Sequence, residues 1–175
     1  MTDAPKKNPF DGPQMQDGHF HRADMTGTHF DGVNLSGAKF FAVLTKAKFT
    51  DTNLGEADFD DVNLGAARFN NINFSGTSIT HANLSDIKIT GVAFEKAEIK
   101  DANMSGTLID DVNLAGARFN NINFTDAAVT DANMSGMTFS DVSLENAEIK
   151  DANLTGMKIN GVLVTDLFEA YARKT

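Results

Sequence analysis

Large apolar residues recur at every fifth position of this chain, and that spacing limits the folds open to it. An α-helix repeats about every 3.6 residues and a flat strand about every two, so neither template accommodates the period. The series runs from Phe49 to Ile159 without a break, and a smaller or β-branched residue precedes each large one by two positions. A five-residue unit of this kind predicts a polygonal coil, in which a short extended piece points two side chains inward and a corner follows.

The remaining positions hold mainly Gly, Asn, Asp, Ser and Thr, several of which are typical corner residues. Four sides would give a turn of twenty residues, with turns stacked at the strand spacing of about 4.8 Å. Residues 42–161 form 24 unbroken units, and the same period extends upstream to Phe20. The step from Phe40 to Leu44 is four residues instead of five, so one residue is missing near Phe41. The coil is therefore expected to have a little over seven turns.

The commonest unit has the form of Ala82-Asn83-Leu84 and Ala152-Asn153-Leu154. In these units the chain resembles the pentapeptide-repeat family, whose consensus is A-(D/N)-L-x-x, and the resemblance covers most of the sequence. It implies an all-β fold, a right-handed quadrilateral parallel β-helix. Stacking at period twenty then predicts that Phe49 lies under Phe69 and Phe74 under Phe94. It also predicts Asn ladders, which we interpret as structural, through Asn63, Asn83, Asn103 and Asn123 and, on the opposite side, through Asn113, Asn133 and Asn153.

Residues 60–74 are nearly repeated at 110–124, an offset of fifty residues. Fifty residues make two and a half turns, so the second copy is expected on the opposite side of the rod. The charges should separate accordingly, with a strip of Lys48, Arg68 and Lys88 in the first half of one side. The candidate partner-binding patch in the second half of that side comprises Asp110, Asp111, Asp131, Glu148 and Asp151. A second acidic patch, on the opposite side, comprises Asp58, Asp60 and Asp61.

The two ends of the chain lose the period. We expect residues 1–17 to be a flexible or capping segment, residues 18–164 to form the β-helix, and residues 165–175 to form a short C-terminal helix. Leu167, Phe168 and Tyr171 have helical spacing. Such a helix would cover the exposed strand edges of the last turn. In related pentapeptide-repeat proteins a C-terminal segment also mediates dimerisation, so a homodimer through these residues is the alternative.

Several classes of site lack their sequence signals. The chain has no Cys, which excludes disulfides and thiolate catalysis, and no nucleophile or phosphate-loop motif is present. His19, His21, His29 and His81 are too scattered to predict a metal site. We therefore expect no catalytic residues, cofactor or metal. The N-terminus shows no signal-peptide pattern, which predicts a cytoplasmic protein, and the net charge of −9 argues against binding to nucleic acid or to membranes.

Two functions agree with these features. The first is a non-enzymatic structural or interaction module that binds a protein partner through a rigid surface. The second is a DNA-mimicking inhibitor or protector of a type II topoisomerase such as DNA gyrase, which the fluoroquinolone-resistance members of the family suggest. The net negative charge favours this alternative, whereas the strip of Lys48, Arg68 and Lys88 opposes it, because duplex DNA presents continuous negative charge.

Overall fold

The structure is a computed structural model that describes residues 15–173. These residues form a right-handed, four-sided parallel β-helix of about seven turns with a single short C-terminal helix, which confirms the predicted fold. Most of the predicted N-terminal segment, residues 1–17, lies outside the described residues. The parallel arrangement follows from the repeat, because each turn returns the chain to the same side in the same direction and one strand spacing further along.

The named strands begin on two opposite sides of the rod, which we number 1 to 4 in chain order, and most of the six-residue strands continue past a left-handed corner residue onto the next side. Side 1 holds a nine-stranded sheet of β1 (His19–Asp24), β3 (Lys39–Val43), β5 (Asp58–Asp60), β7 (Ser78–Thr80), β9 (Glu98–Asn103), β11 (Arg118–Asn123), β13 (Thr138–Ser143), β15 (Lys158–Ile159) and β16 (Val162–Leu163). Side 3 holds a seven-stranded sheet of β2 (His29–Asp31), β4 (Lys48–Thr50), β6 (Arg68–Asn70), β8 (Lys88–Ala93), β10 (Leu108–Asn113), β12 (Ala128–Asn133) and β14 (Glu148–Ile149).

Sides 2 and 4 are shorter extended pieces that end in tight turns. The turn at Leu64–Ala67 is representative: the N–H of Ala67 donates to the C=O of Leu64 at 2.9 Å, and Ala66 has φ of 55°. Left-handed backbone at the corners is otherwise supplied mainly by Gly, Asp and Asn, the residues that tolerate it best. The corners thus explain why these three residue types fill the outward places of the repeat.

The core is a set of stacked columns of the large apolar residues. Phe49 lies between Phe30 and Phe69, with ring centroids 4.5 and 4.9 Å apart and nearly parallel planes. The predicted stacks of Phe49 under Phe69 and of Phe74 under Phe94 are therefore confirmed. Toward the C-terminal end the packing changes, because Phe119 and Phe139 are in register but inclined by 59°. Phe124 from side 2 packs against both of them at an angle.

The missing residue near Phe41 is visible in the pairing of the first two strands of side 1. His21 pairs with Phe41 and Ala23 pairs with Ala42, which leaves Arg22, at φ of 53°, without a counterpart. Strand β3 therefore runs straight through the place where other turns have a left-handed corner residue. The shortened turn is absorbed locally, and the register of later turns is unaffected.

The rod ends in a hairpin and a helix. Asn160 and Gly161, with φ of 49° and 81°, reverse the chain so that β16 pairs antiparallel with β15. Asn-Gly is the dipeptide most favoured for such a two-residue turn. Helix α1 (Val164–Ala172) follows directly. None of the helices in the described part of the chain is long and apolar enough to cross a membrane.

Candidate interaction surfaces

The outward Asn residues are bonded within the rod. The Oδ1 of Asn83 accepts the N–H of Ser85 at 3.2 Å, and its Nδ2 donates to Oδ1 of Asn63 at 3.1 Å. On side 4, Nδ2 of Asn133 donates in the same way to Oδ1 of Asn113 at 3.1 Å. Asn123 also donates to Oδ1 of Asn103, at 3.1 Å, whereas Nδ2 of Asn153 donates to Oγ of Ser135 at 3.0 Å. These amides are thus engaged in structure, as the sequence predicted.

The residues of the first predicted acidic patch all lie on side 3 or on its corner with side 4, and we call them the side-3 acidic patch. Asp111, Asp131 and Asp151 occupy the same corner in three successive turns, each with a left-handed backbone. Asp110 is half-buried and accepts a hydrogen bond of 2.6 Å from Oγ1 of Thr130. Glu148 lies on the other edge of the side. The patch also contains a cation, because Nζ of Lys150 lies 2.7 Å from Oε1 of Glu148.

The second acidic patch, on side 1, is in contact with a histidine. Nδ1 of His81 lies 3.0 Å from Oδ1 of Asp60, and its Nε2 lies 3.7 Å from Oδ2 of Asp101. The hydrogen bond with Asp60 raises the pKa of His81, and the same bond, with a second from Thr80, lowers the pKa of Asp60. Asp58 and Asp61 lie on the same strand and its corner. The contact of His81 with Asp60 was not predicted from the sequence, although period twenty places His81 directly above Asp61.

The cations of side 3 form a ladder, which we call the side-3 cationic ladder: Lys48, Arg68 and Lys88. Lys48 pairs in register with Arg68, and Arg68 with Lys88. All three side chains are exposed, and among the described residues none of the three has a carboxylate within ion-pair distance. The equivalent position on side 1 instead pairs opposite charges, Lys39 with Asp58 and Glu98 with Arg118. Like charges at directly opposed positions destabilise a sheet, so the ladder is an exception within this rod.

The C-terminal end is the most apolar part of the described surface. The three helix residues singled out from the sequence are exposed: Leu167 by 46 %, Phe168 by 60 % and Tyr171 by 71 %. In the last turn most core-position side chains are only half-buried, as Phe20 is at the other end of the rod, whereas those of the intervening turns are almost fully enclosed. Val164 is the buried residue of the helix. The helix therefore lies at the end of the rod but leaves a large apolar area uncovered in the single chain.

The described interior contains no group suited to acid–base or nucleophilic chemistry. Its buried polar residues are Thr52, Thr77 and Thr107, and each hydroxyl donates to a main-chain carbonyl. Of the imidazoles, His21 stacks on Phe41 with centroids 5.2 Å apart. No cluster of three or more His, Asp or Glu side chains in residues 15–173 could hold a metal ion.

Comparison with known proteins bears on the family of the chain. A family model described as the pentapeptide repeat region matches residues 10–104 and 87–154. No curated protein matches the sequence. Among solved structures, full-length QnrB1, a plasmid-mediated fluoroquinolone resistance protein, is 19 % identical over 94 % of this chain and 92 % of that chain, with a TM-score of 0.35.

Two further solved structures are similar. HetL, a pentapeptide repeat protein involved in heterocyst differentiation regulation from the cyanobacterium Nostoc sp. strain PCC 7120, is 17 % identical. The match covers 86 % of this chain and 91 % of that chain, with a TM-score of 0.26. A pentapeptide repeat protein from the Arabidopsis thaliana thylakoid lumen is 27 % identical over 60 % of this chain and 67 % of that chain, with a TM-score of 0.28.

Proposed function

The chain belongs to the pentapeptide-repeat family, and from this premise we propose that it is a non-enzymatic, protein-binding rod that forms a homodimer through its C-terminal end. The exposed apolar end carries the proposal. Leu167, Phe168 and Tyr171 are about half to three-quarters exposed on one short helix. Exposed apolar patches of this kind on soluble domains commonly mark interaction sites. A second copy would cover both the helices and the half-buried last turns.

The remaining surface supports binding rather than catalysis. The pKa values of His81 and Asp60 are shifted, but both side chains are more than half exposed to solvent and each is the hydrogen-bond partner of the other. A catalytic pair needs a concave site that excludes water. The proposed partner surface is the side-3 acidic patch, whose carboxylates suit a cationic face on another protein. Asp58, Asp60 and Asp61 would be the weaker of the two acidic surfaces, because the carboxylate of Asp60 is already hydrogen-bonded to His81 and Thr80.

Analytical ultracentrifugation tests the dimer. We expect the wild-type protein to sediment as a dimer and the Leu167→Ser/Phe168→Ser/Tyr171→Ser variant as a folded monomer. Val43→Ser is the matched control, because Val43 is 41 % exposed but lies on the shortened turn, far from the C-terminal end. A wild-type monomer at concentrations up to about 100 µM would rule out the proposed dimer.

Affinity capture tests the acidic patch. We expect one stoichiometric protein partner to be captured by the wild type and lost with Asp131→Lys, which leaves the rod folded because Asp131 is an exposed corner residue. Asp141→Lys, at the equivalent corner of side 1, is the control. If both variants retain the partner equally, the side-3 acidic patch is not its binding surface.

A second candidate, DNA mimicry toward a type II topoisomerase, is favoured by the column of Asp111, Asp131 and Asp151. It is opposed by Lys150 within the patch and by the side-3 cationic ladder on the same side. A gyrase supercoiling assay decides between the two. If supercoiling is unchanged at micromolar concentrations of the protein, the DNA-mimic function is excluded. If the protein inhibits supercoiling and Asp131→Lys abolishes that inhibition, the DNA-mimic function is established.

A further inference from the structure

We propose that the side-3 cationic ladder binds a short acidic helix of a partner protein, which lies along the rod axis across strands β4, β6 and β8. Neither the C-terminal dimer nor the side-3 acidic patch is needed for this contact. Lys48, Arg68 and Lys88 are stacked in register and exposed, without a carboxylate within ion-pair distance among the described residues. Like charges at the strand spacing repel one another in the free chain, and an anionic surface that covers them relieves this repulsion.

The surroundings of the ladder add hydrogen-bonding groups rather than negative charge. The second outward position of the same three strands is uncharged and also stacked in register: Thr50, Asn70 and Thr90. Only two acids lie within three residues of the ladder along the chain, and both are directed elsewhere. Asp51 accepts a hydrogen bond from Nδ2 of Asn71, and the carboxylate of Asp86 lies beside Gly106 in the next turn. The three strands therefore present positive charge and neutral donors on a chain whose net charge is −9.

The main chain of side 3 has no free edge at the ladder. In the strand order β14-β12-β10-β8-β6-β4-β2, each of β4, β6 and β8 is hydrogen-bonded to a neighbour on both sides. An extended peptide that adds to a sheet gains its affinity from main-chain bonds at such an edge, so that mode of binding is closed here. A helix satisfies its own main chain and presents side chains only. It is therefore the element that suits a closed sheet face.

The spacing of the three cations also fits one face of a helix. From Lys48 to Lys88 is two strand steps, about 9.6 Å. Acidic residues at positions i, i+4 and i+7 of a helix share one face and span about 10.5 Å along its axis. Three alternate residues of an extended chain span about 13 Å instead. The helix thus places one carboxylate over each cation with the smaller displacement.

The acidic run of the partner has to be short. Beyond β8 the same side carries Asp110 and Asp111 on β10 and Asp131 on β12, so anions that continue along the axis meet like charge. A nucleic acid presents phosphates continuously and is disfavoured for this reason. The ligand that fits has about two helical turns of acidic face. Exposed ion pairs are weak, so we expect a Kd between about 0.1 and 1 mM for an isolated helix at low salt.

NMR titration of the isotope-labelled full chain with synthetic helices tests the contact. The probe is a capped Ala/Gln helix of about 20 residues with glutamates at i, i+4 and i+7. The control helix has the same composition with glutamates at i, i+2 and i+5, which point in different directions. We expect amide shifts confined to β4, β6 and β8, and a Kd at least threefold lower for the probe than for the control. A helix with glutamates along four turns of one face should bind within threefold of the probe, because its additional acids meet the side-3 acidic patch.

Substitutions in the ladder assign the binding to its charges. Arg68→Gln/Lys88→Gln removes two charges and Arg68→Glu/Lys88→Glu reverses them, and both positions are exposed, so the rod stays folded. Lys39→Glu/Arg118→Glu makes the same reversal at the equivalent position of side 1 and is the matched control. We expect the Kd of the probe to rise at least threefold with the neutral pair and at least tenfold with the reversal, and to stay within twofold in the control. The reversed ladder should instead bind a helix with lysines at i, i+4 and i+7.

Several results would overturn the proposal. The absence of amide shifts at up to about 5 mM probe would show that the ladder binds no acidic helix. Equal affinity for the probe and the control helix, or an unchanged Kd in the reversed ladder, would refute recognition of one helix face by these cations. An oligo-deoxythymidylate that binds more tightly than the probe would reassign the ladder to single-stranded nucleic acid. Each of these outcomes leaves the C-terminal dimer and the side-3 acidic patch to their own tests by sedimentation and affinity capture.

Discussion

Ala93 interrupts the Asn ladder of side 4, and its replacement by Asn should stabilise the protein. It lies in register between Asn73 and Asn113, where every other turn from Asn34 to Asn153 has an Asn. Asn73 and Asn133 each make two amide bonds in this ladder. Asn73 donates to Oδ1 of Asn53 and accepts the N–H of Ser75, both at 3.0 Å. An Asn at position 93 can repeat both, since Asn73 offers Oδ1 below and Glu95 offers its N–H.

The magnitude follows from these two bonds. Each contributes about 0.5–1.5 kcal/mol net, and ordering the new side chain costs up to about 1 kcal/mol. We therefore expect Ala93→Asn to raise the free energy of unfolding by about 1 kcal/mol, which corresponds to about 2–4 °C in Tm for a chain of this size. Asn73→Ala should lower the free energy of unfolding by about 1–2 kcal/mol, because it removes both of its own bonds.

Ala93→Asp separates the two contributions. A carboxylate can accept the N–H of Glu95, but it cannot donate to Oδ1 of Asn73, and it lies two residues from another acid. Urea denaturation followed by circular dichroism measures all three variants, with the m-value checked for constancy. If Ala93→Asn is no more stable than Ala93→Asp, the turn-to-turn amide bond contributes nothing and the ladder is not a stabilising element.

Three further predictions test the core, the corners and the titrating pair. Phe69→Asp should abolish folding, because it removes an aromatic side chain worth about 3–5 kcal/mol and buries an unpaired carboxylate; a native-like circular dichroism spectrum would refute the register. Ala66→Gly should stabilise by up to about 1 kcal/mol and Ala66→Val should destabilise by about 1–2 kcal/mol, since φ is 55° there; equal midpoints in urea would contradict this. Asp60→Asn should lower the pKa of His81 in an NMR titration. In the wild-type protein, His81 contributes stability that is fully present below its unfolded pKa and is lost as the pH rises through its folded pKa. Asp60 contributes stability that is present above its unfolded pKa and is lost as the pH falls through its folded pKa.

The inward half of each repeat could be predicted from the sequence, and the ends could not. Phe49 and Phe69 stack as expected because a strict period leaves the large side chain one position per side. The inclination of Phe119 against Phe139 could not be predicted, since it depends on how a third ring, Phe124, fills a shared interior. At the C-terminus the hairpin could have been predicted from the Asn-Gly dipeptide. The exposure of Phe168 could not be predicted, because it depends on where the helix lies relative to the last turn.

Among the surface features, positions were predictable and partners were not. Period twenty placed the side-3 acidic patch and the side-3 cationic ladder on one side correctly, because register fixes which residues are neighbours. It did not reveal that Lys150 pairs with Glu148, or that Arg22 is left unpaired beside the shortened turn. The ion pair depends on side-chain rotamers, and the position of Arg22 depends on how the chain accommodates the missing residue.

The fifty-residue repetition explains why the two acidic patches differ. Asp60 and Asp110 are equivalent in the two copies, and each accepts a hydrogen bond from the Thr one turn further on, Thr80 and Thr130. The next residue departs from the repetition: it is His81 on side 1 but Asp131 on side 3. Side 1 therefore gains an imidazole that bonds to Asp60, whereas side 3 gains another carboxylate. Nothing in the five-residue period requires either residue, and the difference makes side 3 the surface on which a cationic partner is expected.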